Sequence, residues 1–321
     1  MNDKFVGFLV SIGLLIFATS CTHSSKSNTK LEKWIQSIEK EDFSSYRKSI
    51  AHYPDSVYNS FKKEYTELSS KEYKLLQKIN NSTSKSIALA KGDELNFAFL
   101  KHLHHPSNEH LNIRFIPLDS LNPFRHYILL VDVNSDWEKT IQFFTENHKL
   151  GEYKASIKTI LETERFDDTT LIIGQVFQSG TGVYWLQNHF FQFTKNSVRP
   201  VLQTVSSSYE SGWGCMDYGV HATIISKKPF KIAYNKQVEF KDSMSNTIKK
   251  HEKVDTVLFV WNAKKMKYQP AQEMERKFNN TKSFYVGTKL EYRIHSNMNW
   301  YKPLLQSDEG LWVLNQLYKI K

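Results

Sequence analysis

Between Leu171 and Gln269 the chain repeats one pattern: a short run rich in Val, Ile, Phe and Tyr, then a polar break. The runs are Leu171 to Phe177, Val183 to Phe193, Val198 to Val205, Val220 to Ser226, Phe230 to Tyr234, Val238 to Phe240, Val257 to Trp261 and Lys267 to Gln269. Breaks this short leave no room for the crossover that parallel strands need, so neighbouring strands must pair antiparallel as a meander. Asn262-Ala263-Lys264-Lys265 supplies the turn into the last run. Upstream, Leu95 to Leu103, Leu111 to Ile116 and His126 to Val133 read as further strands. No unit recurs at the ~40–50 residue period of a propeller, which leaves a sandwich or a twisted open sheet.

Helical spacing appears at both ends and once in between. Leu31, Trp34, Ile35 and Ile38 fall on one helix face, and Phe43, Tyr46 and Ile50 continue the spacing up to Pro54. Asp55 or Ser56 can cap a third segment carrying Val57, Phe61, Tyr65 and Leu68, and Ser69-x-x-Glu72 is a capping box ahead of Tyr73, Leu76 and Ile79. Residues 30–80 therefore read as a helical module, closed by the polar stretch Asn80 to Ser84. A second capping box, Ser135-x-x-Glu138, with Trp137, Ile141, Phe144 and a terminal Gly151, predicts one helix embedded in a β-rich domain over residues 90–275. In residues 284–321, Trp300-Tyr301-Lys302 and Gly310-Leu311-Trp312-Val313 resemble the second half of a bacterial SH3-type domain, while Leu311, Leu314 and Leu317 fit a terminal helix equally well. The fold class expected is α+β, a small N-terminal helical module followed by a larger antiparallel β-rich body.

The N-terminus says where such a body works. Lys4 is followed by 14 uncharged residues, Phe5 to Ala18, too short to span a bilayer and of the length of a signal-peptide core. The run ends on Ala18-Thr19-Ser20-Cys21, and there the sequence resembles a bacterial lipoprotein precursor with its lipobox. The resemblance implies that residues 1–20 are a signal peptide and that Cys21 becomes the acylated first residue. It also implies a cell-envelope location, on the periplasmic side of the outer membrane. Residues 21–29, which contain no apolar side chain after Cys21, read as a flexible tether. Two or more acyl chains anchor stably, so no membrane-spanning helix is needed.

Only one other cysteine exists, Cys215, so with Cys21 acylated a disulfide-stapled fold is excluded. Cys215 lies in Ser211-Gly212-Trp213-Gly214-Cys215-Met216-Asp217, which resembles the nucleophile segment of transglutaminase-like cysteine enzymes. That resemblance implies His221 or His251 as the partner of Cys215 in a cysteine-dependent hydrolase or acyltransferase. The β-rich run that follows the cysteine argues against the helix N-terminus that would acidify it. His102, His104, His105, Glu109 and His110 are the densest group of metal-ligand types, yet Pro106-Ser107-Asn108 also makes this an ordinary polar turn. The sequence contains no H-E-x-x-H, G-x-S-x-G or phosphate-loop signature, and no bound metal or cofactor is expected.

Charge is concentrated late in the chain: residues 226–282 hold 14 basic and 6 acidic residues, +8 of the formal +10. On paired strands Lys249, Lys250, Lys264 and Lys265 would form a basic face toward anionic lipid, a glycan or an acidic protein, and outside the cytoplasm nucleic acid is not a partner. The sequence thus reads as a lipid-anchored binding or structural protein rather than an enzyme, with the cysteine enzyme as its alternative.

Overall fold

The computed structural model describes residues 24–45, 60–103, 110–135, 138–156, 159–179, 183–212, 216–242, 244, 246–271, 290–296, 298–318 and 320. Helix α1 (Ser24–Lys40) is followed by strand β1 (Lys62–Glu67) and helix α2 (Ser70–Asn81). Then come β2 (Ser86–Ala90), a 3₁₀ turn (Asp93–Asn96), α3 (Ala98–Lys101) and β3 (His110–Pro117). Strands β4 (Tyr127–Ser135), β5 (Glu138–Thr145) and β6 (His148–Ser156) complete a first sheet in the order β1-β6-β5-β4-β3-β2. The second sheet is one continuous meander: β7 (Thr159–Arg165), β8 (Thr170–Ser179), β9 (Val183–Thr194), β10 (Ser197–Gly212), β11 (Met216–Lys227), β12 (Phe230–Lys241), β13 (Thr247–Asn262) and β14 (Lys267–Pro270). Helices α4 (Leu290–Ser296), α5 (Met298–Leu305) and α6 (Asp308–Tyr318) follow. All pairings are antiparallel, so the architecture is α+β as the break lengths required.

Three apolar cores stack the layers. Ile128, Ile141 and Phe143 of the first sheet meet Leu171, Ile173 and Phe191 of the second, with the Phe143 and Phe191 rings 4.5 Å apart. The outer face of the first sheet carries Phe115, Tyr127 and Phe144 under Leu75, Leu76 and Ile79 of α2 and Phe99 and Leu100 of α3. The other face of the second sheet carries Phe190, Phe230, Ile232 and Tyr234, covered by α1 and the three C-terminal helices.

Several expectations are corrected. Residues 30–80 do not form one module: Leu31, Ile35 and Ile38 of α1 join the core of the second sheet, whereas α2 joins that of the first. The segment expected to be helical around Tyr65 is β1, an edge strand on β6. The tether also differs, because α1 begins at Ser24. The embedded helix of residues 135–151 is the β5–β6 hairpin, and Gly151 is not a helix stop: a Cβ there would lie 2.6 Å from the Lys62 carbonyl oxygen of β1. Leu95 to Leu103 is the 3₁₀ turn and α3, with Ala98 N–H donating to the Glu72 carboxylate at 2.7 Å. No pattern local to residues 95–103 encodes a cap that arrives from α2. The SH3-like reading of the C-terminus also fails. Gly310 sits inside α6, where a Cβ would meet the Leu304 carbonyl oxygen at 2.2 Å, so glycine lets the two last helices approach.

Candidate functional site

Within the second sheet β10 and β11 part company halfway. β10 pairs with β11 only from Ser207↔His221 to Gly212↔Met216, while its first half pairs with β9 alone. Register shifts at Pro200/Leu202 and Val205/Ser207 bend β10 away. Pro200 marks the consequence: with no N–H to donate, it fits a strand stretch whose side toward β11 is unpaired. Ala222 to Lys227 therefore pair with β12 on one side and, among the described residues, with no strand on the other. Alternate residues of an antiparallel strand direct N–H and C=O to opposite sides, so every second residue here presents both groups to the gap.

The β11–β12 hairpin then folds back over the start of the meander. Phe230 packs on Phe190 of β9 at 5.6 Å and on Phe166, just after β7, at 4.7 Å. Lys227 fixes the end of β11: its Nζ donates to the Arg165 carbonyl at 3.2 Å and lies 3.5 Å from Glu164. Between the unpaired edge and strands β7 to β10 lies a groove of about 550 Å³. That size falls within the ~300–1,000 Å³ of small-ligand and peptide-anchoring pockets. Its lining includes Glu162, Gly174, Asn188, His221 and Thr223 beside the β11 backbone. Glu162 pairs in register with Gly174, and Gly174 with Asn188, so a carboxylate and an amide flank a position with no side chain. A Cβ at Gly174 would have its nearest neighbour at 3.6 Å, an ordinary contact, so a side chain there would occupy the gap without a clash. Among the described residues, Glu162 has no ion-pair partner, and the side chains of Glu162, Asn188, His221 and Thr223 form no hydrogen bond.

A contrasting polar cluster lies under the first sheet. The Glu152 carboxylate takes His102 Nε2 at 2.8 Å, Lys149 Nζ at 2.8 Å and Gln142 Nε2 at 3.0 Å, and Lys149 also meets Glu64 at 2.9 Å. Burial pushes the Glu152 carboxyl up, but the Lys149 ammonium and the Gln142 and His102 contacts outweigh it and hold it below the ordinary carboxylate range. Gln142 Nε2 also donates to the Phe99 carbonyl at 2.7 Å, which fixes α3 on the sheet. A second cavity of about 470 Å³ opens beside Arg114 and the Asp132–Lys139 pair.

The residues singled out by sequence fall as follows. Cys21, Cys215, His104, His105 and Glu109 lie outside the described residues. His102, instead of standing with other ligands, pairs with Glu152, and His110 is exposed at the start of β3. No three metal-ligand side chains converge among the described residues. His221 lines the groove, whereas His251, two strands away, alternates onto the helix-covered face, its ring 5.6 Å from Phe240. Burial and the neighbouring Lys249 ammonium hold His251 below the ordinary histidine range. The two histidines therefore stand on opposite faces of one sheet.

The four lysines do not make one face. Lys249 pairs with Glu309 of α6 at 3.0 Å, and Lys250, on the opposite face of β13, pairs with Glu252 at 2.8 Å. Lys264 and Lys265 sit in the β13–β14 turn, on the order of 40 Å along the strand from Lys249 at ~3.3 Å per residue. Lys227, Lys236, Lys241 and Lys253 of the same basic segment are also ion-paired. The groove itself was visible in sequence only through His221 and through a proline inside an otherwise regular strand.

No family model matches the chain, and neither a curated protein nor a solved structure is significantly similar to it.

Proposed function

We propose that the chain is a lipid-anchored bacterial cell-envelope protein, held through Cys21 at the periplasmic face of the outer membrane, whose body binds a ligand in the groove beside β11. The observation that carries the binding reading is the combination of an unpaired ladder edge with polar side chains that have no partner of their own among the described residues. The Phe5 to Ala18 run and Cys21 support the anchor, and among the described residues no helix is long and apolar enough to cross a membrane. The ion pairing of Lys249 and Lys250, and the separation of Lys264 and Lys265 from them, favour attachment through the lipid over attachment through a basic surface.

Fractionation tests the anchor. The wild-type chain should stay with membranes in high salt, and Cys21→Ser should move to the soluble fraction. Retention of Cys21→Ser on membranes in high salt would end the anchored reading. Methyl spectra of Ile172, Ile224 and Ile225, all lining the groove, test the second part, because ligands that occupy it must perturb these signals.

A further inference from the structure

The free edge of β11 specifies more than a ligand: it specifies the ligand's backbone. Resting on the reading that the groove is the binding site, we propose that the groove takes an extended peptide segment, which adds as a strand to Ala222–Ser226 and directs a lysine or arginine side chain toward Glu162. Strand addition needs an accessible row of alternating N–H and C=O groups, which β11 presents where β10 leaves it. It also needs room beside that row. The groove provides it, with Gly174 removing a side chain from the floor where a neighbouring strand would run.

Charge selects the peptide. Glu164 is already engaged by Lys227, so Glu162 is the carboxylate left to receive a cation. A strand's side chains alternate with period 2, so one cationic residue can face Glu162 while both its neighbours point to the other face, that of the exposed Ile225. Among the described residues the lining contains no aromatic side chain, which disfavours a glycan, since sugars stack on aromatic faces. Edge strands are normally blunted by lysine, proline or a covering element because they invite pairing. Here Lys227, Pro229 and the bulge between Ile224 and Ser226 stand at the end of the edge and leave Ala222–Ile224 as its regular open stretch.

The test uses the full mature chain, soluble as Cys21→Ser, and fluorescent eight-residue probes with blocked ends. One probe alternates Val and Thr around a central Lys, one carries Glu at that position, and one is the Lys probe with alternate amides N-methylated. Anisotropy should show the Lys probe binding, the N-methylated probe about thirty-fold weaker from two lost hydrogen bonds, and the Glu probe weaker than the Lys probe. Glu162→Gln should weaken the Lys probe about three- to five-fold, as expected for an exposed ion pair, and Gly174→Leu should block it. Equal binding of the N-methylated probe, indifference to Gly174→Leu, or no binding of any probe would each overturn the strand-addition proposal. A panel of mono- and disaccharides added to the methyl-labelled protein separates the two levels. Perturbation of Ile172 and Ile225 by sugars alone would refute the peptide and keep the groove, and silence from sugars and peptides together would refute both.

Discussion

The two polar clusters of this protein differ in how they settle their charges. Around Glu152 each carboxylate oxygen has a donor, and the donors come from β5, β6 and the end of α3. In the groove beside β11, Glu162, Asn188 and His221 stand next to one another without such bonds among the described residues. The first arrangement is complete without a ligand, and its work is to hold α3 against the sheet. The second leaves exposed polar groups free to meet a ligand. Buried charge is tolerated when it is fully paired, so the closed cluster reads as structure, whereas the exposed one carries no such requirement.

The strongest way to break this contrast is to truncate one member of each cluster. Glu152→Ala removes the common acceptor of a buried lysine, a histidine and a glutamine, and should cost about 3 kcal/mol in urea denaturation. Glu162→Ala should stay within about 0.5 kcal/mol, as surface substitutions do. Similar costs for the two would dissolve the distinction.

A second comparison uses pH. His189 is buried between the sheets beside Gln187, bonded at 3.0 Å with no carboxylate bound to it, and burial pushes it down to about 3. The folded state therefore holds this imidazole neutral where the unfolded chain takes up a proton. Stability should be full above pH ~6.5 and fall as pH drops toward 3, by at most about 1.4 kcal/mol per pH unit. His189→Gln should flatten that slope relative to wild type between pH 6 and 4. An unchanged slope in His189→Gln would remove burial of this imidazole as the cause.

Gly174→Leu should alter stability by less than about 1 kcal/mol, because the added Cβ meets nothing closer than 3.6 Å, yet it should shift the Ile172 methyl signal. Gly151→Ala should cost at least 2 kcal/mol, since its Cβ collides with the backbone of β1. The smallest effect separates the lysines: Lys249→Ala should cost a few tenths of a kcal/mol through Glu309, and Lys264→Ala nothing resolvable.

How much was legible in the sequence depended on whether each residue's neighbours were local. The α2 start was readable because Ser69 and Glu72 cap one another within a single turn, and the α1 stripe was readable because Leu31, Ile35 and Ile38 all face one core. The β5–β6 hairpin was not. β5 lies in the middle of a sheet covered on both faces, so Ile141 and Phe143 point to one core while Phe144 points to another, and the alternation that marks a half-buried strand is blurred. Glu146, in the left-handed region at φ 47° in the turn, carries no glycine signal to reveal it.

The sequence by itself determined an antiparallel β body and the amphipathic stripes of α1 and α2, because period, break length and short motifs are properties of neighbours in the chain. Only the tertiary structure decided which layer each helix covers, that His102 serves Glu152, that His221 and His251 part company, and that β10 leaves β11 halfway. Those outcomes depend on residues distant in the chain coming together: His102 and Glu152 are 50 positions apart, and Leu31 of α1 shares a core with Leu314 of α6. Pairing of that kind is set by which surfaces bury together, and no local pattern contains it.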